Sequence, residues 1–386
     1  MYNGMPYWRL SGFYFFYFAT LGGFLPYWGL YLESEGFSPS EIGQLMALLV
    51  GTKIVAPNIW GWIADHTGKS ITIIRIATFL SAVVFAAVWA GQEFWWLACV
   101  ITVFSFFWNA ALPQMEAVTL SHLHQNSHHY SRIRSWGSIG FIVTVLSVGW
   151  ALDTVDIKNL PILIVGLLTG IWLASQLIPE PNIAGKVDGQ ISVGSILRRP
   201  HVIAFFIVAM LNQMAHGPYY VFFSIYLGQH GYSGMATGML WSLGVFAEVL
   251  IFAFMHAILK RFSLKTILLF SMLAGVVRWL LIGFVVDSFA GVIAAQLLHA
   301  ATFGSAHVAS IHLVHRFFKG RHLGKGQALY SSVSFGVGGA VGSLSSGELW
   351  SNPGPEVVYA VASLTCLVAF LIVLFLVQED EAGAAG

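Results

Sequence analysis

The chain has 386 residues, of which 57% are hydrophobic and only 9% charged, with a formal net charge of +1. A soluble domain carries roughly 25% charged residues, so this chain has too few to cover a water-facing surface, and its near-neutral balance gives no basic face for nucleic acid. Its two cysteines, Cys99 and Cys366, both lie in apolar runs and read as small hydrophobes, not as a disulfide or metal pair.

A membrane-crossing helix needs about 20 mostly apolar residues. Runs of that kind predict spans at 7–32, 42–64, 71–90, 94–119, 132–153 and 159–178, then at 201–227, 235–259, 265–287, 289–314, 323–347 and 356–378. The first run lacks a small-residue cleavage site and is long enough to span, so no cleavable signal peptide is expected. The expected fold is an all-α membrane protein of twelve transmembrane helices. It divides into an N-terminal six-helix half (1–178), a polar central loop (179–200) and a C-terminal six-helix half (201–386). The loop holds Asp188 and the pair Arg198 and Arg199.

Basic residues orient such a chain. Those after the even spans include Lys69, Arg75, Lys186, Arg198, Arg199, Lys260, Arg261, Lys265, Arg316, Lys319, Arg321 and Lys325, and the loop after span four leads into Arg132. After the odd spans, Lys158 stands alone among acids that include Glu33, Glu35, Glu41, Glu93, Asp153, Asp156, Asp287 and Glu356. Both termini and the central loop are therefore expected on the cytoplasmic side of an inner membrane.

Five charges remain at membrane depth: Lys53, Glu116, Arg134, Glu248 and Arg278. Each is costly in hydrocarbon and should face the bundle interior or a water-filled cavity. Snorkelling competes as an account of Arg134, which lies near a span end, and Glu116 could sit at the cytoplasmic end. Lys53, Glu248 and Arg278 are harder to place at an edge. His299 lies inside span ten, where a hydrogen-bonded core histidine and a proton relay are both open readings. Asn109, Asn212, Gln213 and His216 are further polar groups in apolar runs. Span seven adds Tyr219 and Tyr220, and His216 and Tyr220, one turn apart, share a face. The glycines Gly336, Gly338, Gly339 and Gly342 in span eleven predict close helix approach.

Gly61, Asp65, Gly68 and Lys69, between spans two and three, resemble the loop signature of the major facilitator superfamily, with His66 and Ser70 where basic residues are usual. In that family the acid caps a neighbouring helix and locks the outward-facing state. Other segments resemble its lactose permease group: the aromatic run from Phe13 to Tyr17 with Gly22, Pro26 and Glu33; Asn109, Pro113 and Glu116; Arg132, Arg134 and Gly137; and Arg278 with Leu298 and His299. The resemblance implies that Glu116 and Arg134 centre the substrate site and that Arg278 and His299 take part in proton coupling. Two departures stand out: Thr302 occupies the place of that group's proton-carrying glutamate, and Gln296 that of a lysine. The stretches 215–220, 240–250 and 276–279 are similar to the phenylpropionate permease branch.

The resemblance implies a secondary transporter, not an enzyme, working without a cofactor by alternating access. Its expected partners are a small-molecule substrate, protons and the lipid bilayer, and a monomer is expected. No phosphate-cradling glycine loop occurs, so proton symport is the expected drive. Glu248 is the first candidate for the proton-carrying acid and Glu116 the second. Arg134 and Lys53 are candidates for holding a substrate carboxylate, since a buried anion needs a charged or hydrogen-bonding partner. Tyr17, Asn109, Asn212, His216 and Tyr220 complete the expected site. An aromatic carboxylate such as phenylpropionate is the favoured substrate; a sugar or nucleoside symporter and a proton-driven exporter are the alternatives. The rival of another class is a membrane enzyme with histidine boxes, at His124, His128 and His129 and at His307, His312 and His315.

Overall fold

The computed structural model describes residues 6–123, 129–180 and 193–379, without the side chains of Asp65 and Arg321. Helices cover all twelve predicted spans, and no strand occurs among the described residues. Among the described residues, ten helical stretches are long and apolar enough to cross a membrane. The other two, spans 1 and 11, are diluted by tyrosine and glycine or by glycine and serine.

Span 1 is Tyr7–Phe24, followed by a short helix Trp28–Ser34; Pro26, which lacks an amide hydrogen, lies in the break. Span 2 starts at a capping box, in which Ser38 and Glu41 satisfy each other's free amides. It then runs as Pro39–Gly51, a tight 3-10 turn Thr52–Ile54, and Ala56–Thr67. Spans 3 to 6 are Ser70–Ala86, Phe94–Leu123, Tyr130–Ala151 and Leu160–Gln176. Spans 7 to 9 are Pro200–Gln229, Gly234–Arg261 and Leu264–Phe284. Span 10 is built from Phe289–Leu297, a wide π-helical turn Ala300–Ser305, and Ala306–Phe317. Span 11 repeats the device, as Leu323–Ser331, a π-helical Ser332–Gly338, and Gly339–Trp350. Span 12 is Pro355–Leu376.

The chain divides into two compact units. One holds residues 1–188 with 221–242, the other 189–220 with 243–386. In the first, span 1 packs on spans 5 and 6, and span 3 on spans 4 and 6. A methyl group on Gly140 would run into the Phe15 carbonyl, so the small residue lets spans 1 and 5 touch backbone to backbone. In the second unit span 9 packs on spans 10 and 12, and Gly342 lets span 11 reach the Met214 carbonyl of span 7 in the same way.

Each unit closes with the same clasp. Helix starts expose unpaired amides and helix ends unpaired carbonyls. Glu180, after span 6, accepts from the Ile71 amide at the start of span 3 at 3.2 Å. Arg75 of span 3 answers by donating to the carbonyls of Ser175, Gln176 and Ile178. Glu379, after span 12, accepts from the Lys265 amide at the start of span 9 at 2.6 Å, and the Lys265 ammonium donates to the Leu374 carbonyl at 2.9 Å.

Candidate functional site

Four of the five charges predicted at membrane depth fall into two clusters, one in each unit. In the first unit, spans 1, 4 and 5 bring together Arg134, Glu116 and a bed of aromatic rings. The Arg134 guanidinium lies 3.7 Å from the centre of the Phe18 ring and 5.9 Å from that of Tyr14, a placement that aromatic faces favour. Glu116 accepts a hydrogen bond from the Tyr130 hydroxyl at 3.2 Å. Tyr14 shares a hydrogen bond with Thr119 at 3.1 Å. Glu116 and Arg134 are both half-buried, and among the described residues no carboxylate lies within ion-pair distance of Arg134. The structure thus sets the two around the same tyrosines without a direct ion pair.

Tyr17, buried, stacks on Trp108 with ring centres 5.4 Å apart, and the Trp108 indole N–H is buried without a hydrogen-bond partner. Asn109 is turned to another task. Its amide nitrogen donates to the Thr52 hydroxyl at 2.8 Å and the Leu49 carbonyl at 3.3 Å, bracing span 2 where its helix tightens. Lys53 lies half-buried in that turn.

The cluster in the second unit is sealed. Arg278 is 0% exposed. Its Nε donates to the Ala295 carbonyl at 3.1 Å and its Nη1 to Thr302 Oγ1 at 3.1 Å, while Nη2 is buried without a partner. The guanidinium carbon stands 4.4 Å from the ring centres of both Tyr219 and Trp279. His216 Nδ1 is 2.7 Å from the Asn212 carbonyl, which can only accept, so Nδ1 carries the hydrogen. Nε2 is then the acceptor facing Arg278 Nη1 at 3.3 Å and the Thr302 hydroxyl at 3.4 Å. Asn212 donates to the Thr302 carbonyl at 3.2 Å, and Tyr219 donates to Gln296 at 2.9 Å. Tyr220 stacks on His216 at 5.9 Å, as the one-turn spacing predicts.

Glu248, from span 8, pairs with His299: the carboxylate oxygen is 3.7 Å from Nε2. The predicted neighbours therefore share one region: His299 meets Glu248, whereas Arg278 turns to Ala295, Thr302 and His216. Thr302, where the lactose permease group has its acid, is the hydroxyl to which Arg278 donates.

In the loop signature, Gly68 ends span 2 in the left-handed conformation at φ 66°, where a side chain would strain the backbone. Gly61 faces the Gln114 side chain of span 4, and Lys69 precedes the first turn of span 3. Asp65 lies in the last turn of span 2, and its side chain is outside the described residues. So are His124 and His128 of the first histidine box. Among the described residues no three His, Cys, Asp or Glu side chains gather as a metal site.

Phe18, Tyr130 and Trp108 were not singled out from the sequence. Phe18 stands one turn after Tyr14, a spacing that could have placed both on one face. Tyr130 carries no such signal in a chain this rich in aromatics. A separate cavity of about 400 Å³ in the first unit, lined by residues including Tyr27, Glu33, Asp156 and Tyr232, shares no residue with the predicted site.

The comparisons with known proteins follow the same lines. The model of the MFS_1 like family matches residues 7–361. The chain is 31% identical to the "Probable 3-phenylpropionic acid transporter" of Escherichia coli (strain K12), over 93% of this chain and 95% of that one. It is 27% identical to the "Maltose permease" of Geobacillus stearothermophilus, over 96% and 94% of the two chains. Among solved structures, the nucleoside transporter NupG superposes with a TM-score of 0.83 at 17% identity, covering 95% of this chain and 98% of that one. A POT family transporter in complex with a thioalcohol-conjugated peptide gives 0.77 at 13% identity, covering 95% of each. At those identities the structural matches speak for the fold.

Proposed function

Because the chain belongs to the MFS_1 like family of major facilitator transporters, we propose that this membrane transporter is a proton symporter that takes up a small aromatic carboxylate by alternating access. It works as a monomer in a bacterial inner membrane. The bias of lysine and arginine toward the even loops supports an orientation with both termini in the cytoplasm.

The observation that carries the substrate reading is Arg134: a fixed positive charge on an aromatic ring, with no carboxylate among the described residues within ion-pair distance of it. A substrate carboxylate supplies the missing anion through the planar fork of the guanidinium. An aromatic substrate ring finds Phe18, Tyr14 and the Tyr17–Trp108 stack beside it. Glu116, held by Tyr130, keeps the guanidinium from being the sole charge of the empty site. The 31% identity to a protein named for 3-phenylpropionic acid points the same way.

Coupling is assigned to Glu248 and His299. A carboxyl group beside a histidine inside the membrane can take a proton on one side and release it on the other. Arg278, buried behind Thr302 and His216, holds the frame of that site.

Thermal unfolding of the purified protein with phenylpropionate, cinnamate, maltose and uridine tests the substrate class. Stabilisation by the two aromatic acids alone is expected, since only a ligand that binds the folded state raises the midpoint. Stabilisation by maltose alone would favour the sugar reading that the maltose permease match supports. Stabilisation by the acids that survives Arg134→Gln would move the anion site elsewhere.

A further inference from the structure

Below the Glu248–His299 pair lies a column of rings that the proposed transport cycle does not yet use. His299, Phe303 and His307 follow one another at four-residue intervals in span 10. Their rings are almost parallel: His299 and Phe303 are 5.4 Å apart at 8°, and Phe303 and His307 are 6.1 Å apart at 8°. Four residues of an α-helix overshoot a full turn by about 40°, so such a column would ordinarily fan out. The π-helical turn Ala300–Ser305 falls inside this stretch, and its wider turns take up the overshoot.

Phe303 also meets His216 of span 7 and Phe335 of span 11 edge to face, at 6.1 and 6.2 Å. Phe335 belongs to the second π-helical segment, Ser332–Gly338. Beneath Phe303, His307 Nδ1 is 3.2 Å from the Tyr330 hydroxyl of span 11. One acid–base pair therefore stands above a benzene ring and another beneath it.

We infer that Phe303 is a proton valve: it keeps the proton of the Glu248–His299 pair from the His307–Tyr330 pair until the two π-helical turns shift. The inference rests on the proton-symport reading. Two features support it. Chains of acids and histidines carry protons inside membranes, and an apolar constriction stops them by excluding the water they need. The ring also sits on the kind of helical irregularity that can change register, since π-turns recur at functional sites. The proton balance is simple. Glu248 releases one proton to His299; once the ring has moved, water hands it to His307, which releases it toward the end of span 10, where Arg316 and then Lys319 lie. Among the described residues, the titratable groups near His307 include Tyr330 from span 11 and, across the ring, His299 with Glu248 of span 8; His312, His315 and Arg316 lie further along span 10.

The test is proton leak in the absence of substrate. Vesicles containing the full-length protein and a trapped pH dye receive an acid pulse with the membrane potential clamped. The wild type should stay as tight as protein-free vesicles. Phe303→Ala should raise the proton flux by about tenfold, and adding His307→Gln should return it most of the way. A tight Phe303→Ala protein that still exchanges substrate overturns the valve, and a leak indifferent to His307→Gln overturns the route. If Phe303→Ala fails to assemble, Phe303→Leu keeps most of the volume without the ring; a smaller leak supports the valve and no leak overturns it. Wild-type protein that moves substrate without protons, while Phe303→Ala still leaks through His307, overturns the symport reading and leaves the valve standing.

Discussion

Arg134 and Arg278 are both guanidiniums in apolar helices, and the structure treats them differently. Arg134 is half-buried and lies on the Phe18 ring, with no carboxylate among the described residues within ion-pair distance. Arg278 is fully buried, with hydrogen bonds to Ala295 and Thr302 and a contact to His216, between two aromatic rings. A charge left reachable can meet a ligand, whereas a charge walled in can only organise its neighbours. The same contrast separates the acids: Glu116 is held by a tyrosine hydroxyl, Glu248 faces a histidine that can itself bind a proton.

Substitutions at the two arginines should therefore fail in different ways. Arg278→Met leaves Thr302, His216 and the Ala295 carbonyl short of a donor in the interior, at a cost on the order of 2–3 kcal/mol. It is expected to lower the thermal midpoint more than any other change proposed here. Arg134→Lys keeps the charge but loses the fork. Its midpoint without ligand should match the wild type, while the Kd for phenylpropionate rises about 10- to 100-fold, the worth of one or two charge-assisted hydrogen bonds. Equal losses of stability at both arginines, read by thermal unfolding, would erase the distinction drawn between them.

Asn109 sharpens the comparison from within the first unit. The sequence presents it as one more polar group in an apolar run, and nothing there distinguishes a ligand contact from a strut. The structure spends its amide nitrogen on the break in span 2, so Asn109→Ala should cost about 1–2 kcal/mol of stability with an unchanged Kd. A weakened Kd at unchanged stability would return it to the binding site.

How much the sequence tells depends on how local each signal is. Span positions were legible because membrane crossing demands a long apolar run, and the family because Gly61, Gly68, Glu116 and Arg134 stand at recognisable spacings. Partner choice was not legible. That Glu248 meets His299 while Arg278 meets His216 depends on how four helices rotate about their axes. The π-helical turns in spans 10 and 11 escaped for a related reason: their glycines and serines also suit close packing. Tyr130 was invisible because its role depends on Glu116, fourteen residues away on another helix.

The smallest effect belongs to the clasp at the end of the chain. Burial pushes the Glu379 carboxyl up, but the Lys265 amide, the Arg316 guanidinium and the Ser263 hydroxyl outweigh it and hold the group below the ordinary glutamate range. Because the folded-state value is the lower one, the clasp contributes above the ordinary carboxylate pKa, and its contribution is lost as pH falls through the depressed value. Glu379→Gln should cost at most about 1 kcal/mol near neutral pH. The gap between the thermal midpoints of wild type and variant should close on acidification, and a gap that widened would contradict this account.

The division of labour between the two units comes down to Glu248. Glu248→Gln imitates the permanently protonated acid. In reconstituted vesicles with an imposed pH gradient, it should abolish accumulation of labelled phenylpropionate against its gradient. Exchange of labelled for unlabelled phenylpropionate should persist, because exchange needs no deprotonation. If Glu248→Gln vesicles still accumulate the acid uphill, the coupling site is not Glu248, and the separation of binding in one unit from proton coupling in the other is contradicted.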